Sequence, residues 1–121
     1  MTPSVQDSRA EAQIAYDSAW LHVRRVATVV DRAAAADEYP DIPTRTRLRM
    51  EIATAIRLLR TAMDHLLDIG GASSFAETCP LQRDWRDLEV ASRHGALNPL
   101  IAQEAYGRLL SGIGEPVTPL I

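Results

Sequence analysis

Two prolines within four residues, in Tyr39-Pro-Asp-Ile-Pro43, separate two long apolar stripes and force the chain toward a helical hairpin. Proline lacks an amide hydrogen and its ring collides with the preceding turn, so one helix cannot run through this segment. Before the break, Ala12, Ala15, Ala19, Val23, Val26, Val30 and Ala33 recur at the steps of one helix face. The spacing predicts a helix over residues 5–38. Its stripe is made of small side chains, so a neighbouring helix can come close, while Tyr16 and Trp20 stand to one side. After the break, Leu48, Ile52, Ile56, Leu59, Met63 and Leu66, widened by Ala55 and Ala62, predict a second helix over residues 44–69. Gly70-Gly71 stops it, as glycine does at the left-handed position after a helix.

Residues 72–79 read as a linker with one short helical turn. Pro80 suits the first position of a third helix, expected to end near His94-Gly95. Asparagine caps a helix and proline is tolerated just inside it, so Asn98-Pro99 starts a fourth, ending near Ser111-Gly112. The tail with Gly114, Pro116 and Pro119 reads as irregular. No segment alternates with period two, so no strands are expected. The expected fold is all-α: one domain of 121 residues forming a mostly antiparallel four-helix bundle with two long and two short helices. At 1.5 Å per residue the long pair spans about 40–50 Å and the short pair about 20–25 Å. The long pair then either projects past the short pair or another subunit covers the difference. A homo-oligomer or an obligate partner is expected.

Composition narrows the function classes. With a net charge of −3 the chain has no electrostatic reason to bind nucleic acid or an anionic membrane. No apolar run approaches the ~20 residues of a membrane span. The first residues lack the basic start and apolar core of a signal peptide. Cys79 is the single cysteine, which fits a reducing, cytoplasmic compartment. His22 and His65 lack the Glu-x-x-His pattern of bundle metal sites, and no metal is expected.

The residue with chemical promise is His94. An imidazole near neutral pH can take or give a proton. A histidine at a helix end also has a plain structural use, because it complements the helix dipole and the free carbonyls. Arg83 and Asp87 stand four apart on the third helix. Arg86 and Asp87 lie on the same expected helix as His94, and Asp87, two turns before His94, shares its face. A structural ion-pair network is the favoured reading there. Arg45, Arg47, Arg49, Arg57 and Arg60 form a basic face that can take a phosphate. Glu51, Asp64, Asp68 and the acidic first helix can neutralise it, leaving a solvated charged face.

Gly70-Gly71, Pro80-Leu81-Gln82-Arg83, Arg86-Asp87, His94, Asn98-Pro99 and Tyr106-Gly107-Arg108 together give residues 8–112 a family likeness. The chain resembles the C-terminal helical domain of the acyl-CoA dehydrogenase superfamily. It is most similar to the flavin-dependent monooxygenase branch, which includes 4-hydroxyphenylacetate hydroxylase and dibenzothiophene monooxygenase. In such enzymes the flavin lies between a middle β-domain and this bundle, with help from a neighbouring subunit. The resemblance implies that His94 lies beside the flavin ring as an acid–base residue, supported by Asp87 and Arg86. It also implies that Gly70, Gly71 and Arg83 approach the cofactor. The N-terminal helical and middle β-domains of the family are expected to be absent. FAD or FMN is then expected only with a separate chain carrying the flavin-binding domains, or by sharing across an oligomer. The implied function is a component of a split flavin-dependent oxidoreductase or monooxygenase acting on a small organic substrate. Two alternatives stand beside it: a repurposed oligomeric biosynthetic enzyme (cyclase, isomerase or dehydratase) using His94, and a non-catalytic assembly module.

Overall fold

The computed structural model describes residues 3–114. Among them are four α-helices and no strand: α1 (Pro3–Ala35), α2 (Ile42–Gly70), α3 (Pro80–Ala91) and α4 (Pro99–Leu110). Single 3₁₀ turns occupy Gly71–Phe75 and Gly95–Leu97. The fold is all-α, as expected. Most of the expected tail, including Pro116 and Pro119, lies outside the described residues.

The hairpin break falls earlier than its two prolines suggest, at residues 36–41 between the two long helices. Asp41 caps α2 by accepting the Thr44 amide at 3.0 Å, and Pro43 falls inside the first turn, where its missing amide is not needed. Hydrogen bonds from Thr44, with Arg45 nearby, hold the Asp41 carboxyl below the usual carboxylate range. Before the break, α1 ends with Asp37 in the left-handed region at φ 53°. The Glu38 amide reaches back to Ala33 O at 2.9 Å and the Asp37 amide to Ala34 O at 3.1 Å. This paired closure satisfies carbonyls that the helix end would otherwise leave open.

α1 and α2 run antiparallel. Tyr16 and Leu59 share one cleft, Arg25 meets Glu51, and Val29 shares another cleft with Thr44. On the rest of α2, Arg60 meets Glu89 of α3 and Arg49 meets Gly95. Further toward the start of α2, Leu48 shares a cleft with Tyr106 and Leu109 of α4. α3 and α4 therefore follow one another along α2, each antiparallel to it, and pack on α2 rather than on each other. Two 12-residue helices in tandem offer about 36 Å of length, against about 44 Å for the 29-residue α2. The short pair thus spans most of the long helix, so the length mismatch expected from the sequence is largely resolved end to end.

This arrangement encloses little. The core is mainly alanine: Ala12, Ala15 and Ala19 on α1, Ala53, Ala55 and Ala62 on α2, and Ala102 and Ala105 on α4, with Leu48 and Leu67. The largest fully buried side chains are Ser74 and Ser92. Leu66, expected in the α2 stripe, is exposed, as are Val30, Ile14 and Leu21 of α1. The accessible surface is 8099 Å², against about 6,500 Å² for a compact monomer of this mass. None of the helices is long and apolar enough to cross a membrane among the described residues.

Candidate functional site at the α3–α4 corner

Local sequence builds the corner between α3 and α4 from both sides. Pro80 starts α3, and Cys79 stands at its N-cap without a side-chain capping bond. The helix closes at Ala91, three residues before the end expected at His94-Gly95. Ser92 is buried there, its amide bonded to Leu88 O at 2.9 Å and its hydroxyl donating to Glu89 O at 3.1 Å. His94 therefore lies beyond the helix rather than in its last turn. Its amide donates to Ala91 O at 3.1 Å and its carbonyl accepts from Leu97 N at 2.9 Å. The side chain is exposed. On the far side, Asn98 Oδ1 accepts from the Leu100 amide at 2.9 Å and starts α4.

Two bridges tie this corner to α2. Glu89 is held between Arg60 of α2 at 3.3 Å and Arg93 at 2.6 Å. The Arg93 hydrogen bond, and after it the charges of Arg60 and Arg93, hold the Glu89 carboxyl below its ordinary range against a desolvation that pushes it up. The second bridge is Arg49, whose Nη2 donates to Gly95 O at 2.8 Å.

The residues expected to act together are not all brought together. Because α3 ends at Ala91, the helical register that would place Asp87 on one face with His94 stops short of the histidine. Arg83, Arg86 and Asp87 are all exposed, and among the described residues no ion pair joins Arg83 to Asp87. The ion-pair network on this side runs instead through Glu89, a residue the sequence reading passed over. Its signal was the i,i+4 spacing to Arg93; the Arg60 contact spans 29 residues and leaves no local mark.

Gly70, Gly71 and Arg83 lie toward the opposite end of α3, about 15 Å or more from His94 by helix rise. Gly71 takes φ +63°, and a Cβ there would meet nothing within 4 Å, so its backbone is open to a close approach. Gly70 differs: a Cβ would fall 2.0 Å from Ser74 Oγ, so that space is already used within the chain. Phe75 of the 3₁₀ turn packs edge-to-face on Trp85 at 5.5 Å, joining the glycine turn to α3. An exposed guanidinium and an open backbone stand at this end, and an exposed imidazole at the other. Among the described residues no group of three or more His, Cys, Asp or Glu side chains comes together for a metal.

The basic face of α2 is largely spent on internal contacts. Arg47 approaches Glu51 at 3.7 Å, Arg45 stacks over Tyr39 at 4.8 Å, Arg60 serves Glu89, and Arg49 turns inward to the corner. Arg57 stays exposed. His22 lies 3.4 Å from Glu51.

A long antiparallel hairpin carrying a tandem pair of short helices, with an exposed histidine at their corner, defines a class of all-α bundle domain. The chain belongs to the acyl-CoA dehydrogenase C-terminal domain family, whose model matches residues 2–99. It is 33% identical over 110 residues to the flavin-dependent monooxygenase oxygenase subunit HsaA of Rhodococcus jostii (strain RHA1), covering 90% of this chain and 28% of that protein. It is 32% identical over 79 residues to the oxygenase component of p-hydroxyphenylacetate 3-hydroxylase of Acinetobacter baumannii, covering 65% of this chain and 18% of that protein. The crystal structure of XiaF from a Streptomyces species, in complex with FADH2 and glycerol, superposes with a TM-score of 0.91 at 37% identity, over 98% of this chain and 30% of XiaF. The chain thus spans less than a third of the length of these relatives.

Proposed function

We propose that this bundle is one component of a flavin-dependent monooxygenase that acts on a small organic substrate. It supplies the helical wall of the flavin site, and a β-domain and a neighbouring subunit supply the rest. The observation that carries this reading is the match of nearly the whole bundle to XiaF in complex with FADH2, beside its 33% identity to the oxygenase subunit of a flavin-dependent monooxygenase. The thin alanine core and the surplus of exposed surface support a bundle that works in association with neighbouring domains or subunits.

In this reading FAD or FMN, when bound, supplies the electrons that activate dioxygen. His94 takes or gives the proton at the reacting centre, a role its exposure on the corner permits. Arg86 and Asp87, on the solvent side of α3, face the assembled site. Gly71 and Arg83, at the other end of that helix, contact a flavin held mainly by a neighbouring subunit; Gly70 shapes the same turn.

The test is gentle purification of the chain from its native host, followed by absorbance and turnover measurements. A yellow complex that consumes reduced flavin in a substrate-dependent manner is expected. In it, His94→Ala lowers turnover at least about tenfold while assembly persists. A colourless oligomer that never acquires flavin sinks the proposal.

A further inference from the structure

We infer that Arg49 is the positioning residue of the His94 corner, holding the turn between α3 and α4 against α2 through the carbonyl of Gly95. The inference rests on the proposed role of His94 for its functional meaning, though the corner itself is read without it. The Arg49 Nη2 to Gly95 O bond, at 2.8 Å, joins residues 46 apart in sequence. The same carbonyl accepts the Asn98 amide at 3.4 Å. One oxygen therefore gathers a side chain of α2 and the N-cap of α4, one residue past His94.

The chemistry of the guanidinium makes this contact consequential. Arg49 Nε and Nη1 are shielded from solvent and meet no acceptor among the described residues. A charged donor set in that position gains most from the acceptor it does reach, because a charge-assisted bond is stronger than a neutral one. Releasing the Gly95 carbonyl would leave a half-buried cation with no acceptor among the described residues, a costly state. The turn is correspondingly pinned. The flanking bonds, His94 N to Ala91 O and Leu97 N to His94 O, then fix the backbone on which the imidazole stands. Lysine cannot substitute fully, since it places a point charge where the planar fork delivers an oriented N–H.

Gly95 takes part through its backbone only. Its φ is not positive, and a Cβ built on it meets nothing within 4 Å. Gly95→Ala is therefore a control that keeps the acceptor.

The experiment uses the 121-residue chain and compares Arg49→Met, Arg49→Lys and Gly95→Ala with the parent. Amide hydrogen exchange is read at Leu97 and Asn98, and the His94 ring protons are followed by NMR across pH 5–9. With Arg49→Met, exchange at Leu97 and Asn98 is expected to speed up about tenfold or more, reporting local opening, while α1 amides keep their protection. The His94 ring resonances move in the same variant. Arg49→Lys falls between, and Gly95→Ala matches the parent. Unchanged corner exchange and unchanged His94 resonances in Arg49→Met overturn the inference. Should that variant fail to fold, Arg49→Lys is read by the same two measures, and parent-like values in it overturn the inference equally. None of these measurements requires flavin. A failure of the monooxygenase reading would show instead as a colourless oligomer that never acquires flavin, and a failure of the His94 role as full turnover in His94→Ala, with the Arg49 results standing in both cases.

Discussion

Glu51 on α2 accepts a hydrogen bond from Arg25 Nε on α1 at 2.9 Å, and its carboxylate is buried in the seam between the two long helices. His22 at 3.4 Å and Arg47 at 3.7 Å complete a ring of cationic or polarisable groups around it. A carboxylate so placed has exchanged water for these partners, and removing its charge strands them. Glu51→Gln is expected to destabilise the chain by about 1–2 kcal/mol. Arg25→Met should cost under about 1 kcal/mol, since that guanidinium is half exposed and water can replace the bond. Urea denaturation of the two variants measures the difference, and equal losses would refute the asymmetry.

A second prediction concerns the turn after α2. A Cβ on Gly70 would sit 2.0 Å from Ser74 Oγ but 3.4 Å from Ser74 Cβ, so the clash is with the hydroxyl alone. Ser74 is buried and cannot swing into open space. Gly70→Ala is expected to cost about 1–3 kcal/mol by overpacking. In a Ser74→Ala background the same change should be close to neutral, because the obstructing atom is gone. A double-mutant cycle by thermal unfolding reads the coupling. Additive effects would mean that Gly70 is required for some other reason.

Local grammar made much of this fold legible. Pro80, Asn98-Pro99 and Gly71 mark helix ends by their own chemistry, and the structure uses each of them so. The end of α3 was not legible, because it depends on the burial of Ser92 and on the ties of Glu89 and Gly95 to α2. His94 stands in its turn for that reason, and its expected register with Asp87 is lost. Arg49 shows the same limit. In the sequence it is one of five arginines on a basic face, and nothing in its spacing separates the one that turns inward. The tandem placement of α3 and α4 is likewise tertiary: helix lengths alone cannot say which helix lies beside which.

A third prediction is a pH dependence located at Glu89. The folded chain holds this carboxyl below its ordinary range, chiefly through Arg93. A depressed folded value contributes stability that is present above the unfolded glutamate value of about 4.3 and is lost as pH falls through the folded value. Glu89→Gln should therefore be less stable than the parent at neutral pH, with the gap closing only at pH below about 4. Urea midpoints for both proteins from neutral to acid pH provide the check. A gap that stays constant into acid would show that Glu89 ionisation is not linked to folding.

The end of α1 supports a fourth. Asp37 occupies the left-handed region at φ 53°, a conformation aspartate tolerates better than most residues and glycine better still. Asp37→Gly removes the steric cost while adding unfolded-state freedom, so the net change should stay within about 0.5 kcal/mol of the parent. Asp37→Val should lose about 1–2 kcal/mol, because a β-branched residue is poorly tolerated there. Thermal melts of the two variants separate these outcomes. A parent-like Asp37→Val would mean that the hairpin rearranges at no cost.

The fifth prediction concerns what covers α1. Tyr16 and Trp20 meet edge-to-face at 6.3 Å, and with Ala19, Val23 and Leu59 they line a wholly apolar cleft of about 210 Å³. Trp20 is 44% exposed and Leu21 68%, while the core beneath is alanine. Large aromatic side chains left outside a core of small ones place the apolar area where a neighbour can bury it, and tryptophan is the residue type most often dominant in such contacts. Light scattering at micromolar concentration is expected to give a mass above that of a single chain. Trp20→Glu puts a charge into the cleft and should weaken association at least about tenfold, leaving the helix content by circular dichroism near that of the parent. A parent chain that scatters as a single copy would show that α1 is covered by a different polypeptide or not at all. A Trp20→Glu variant that assembles like the parent would move the contact to another face of the bundle.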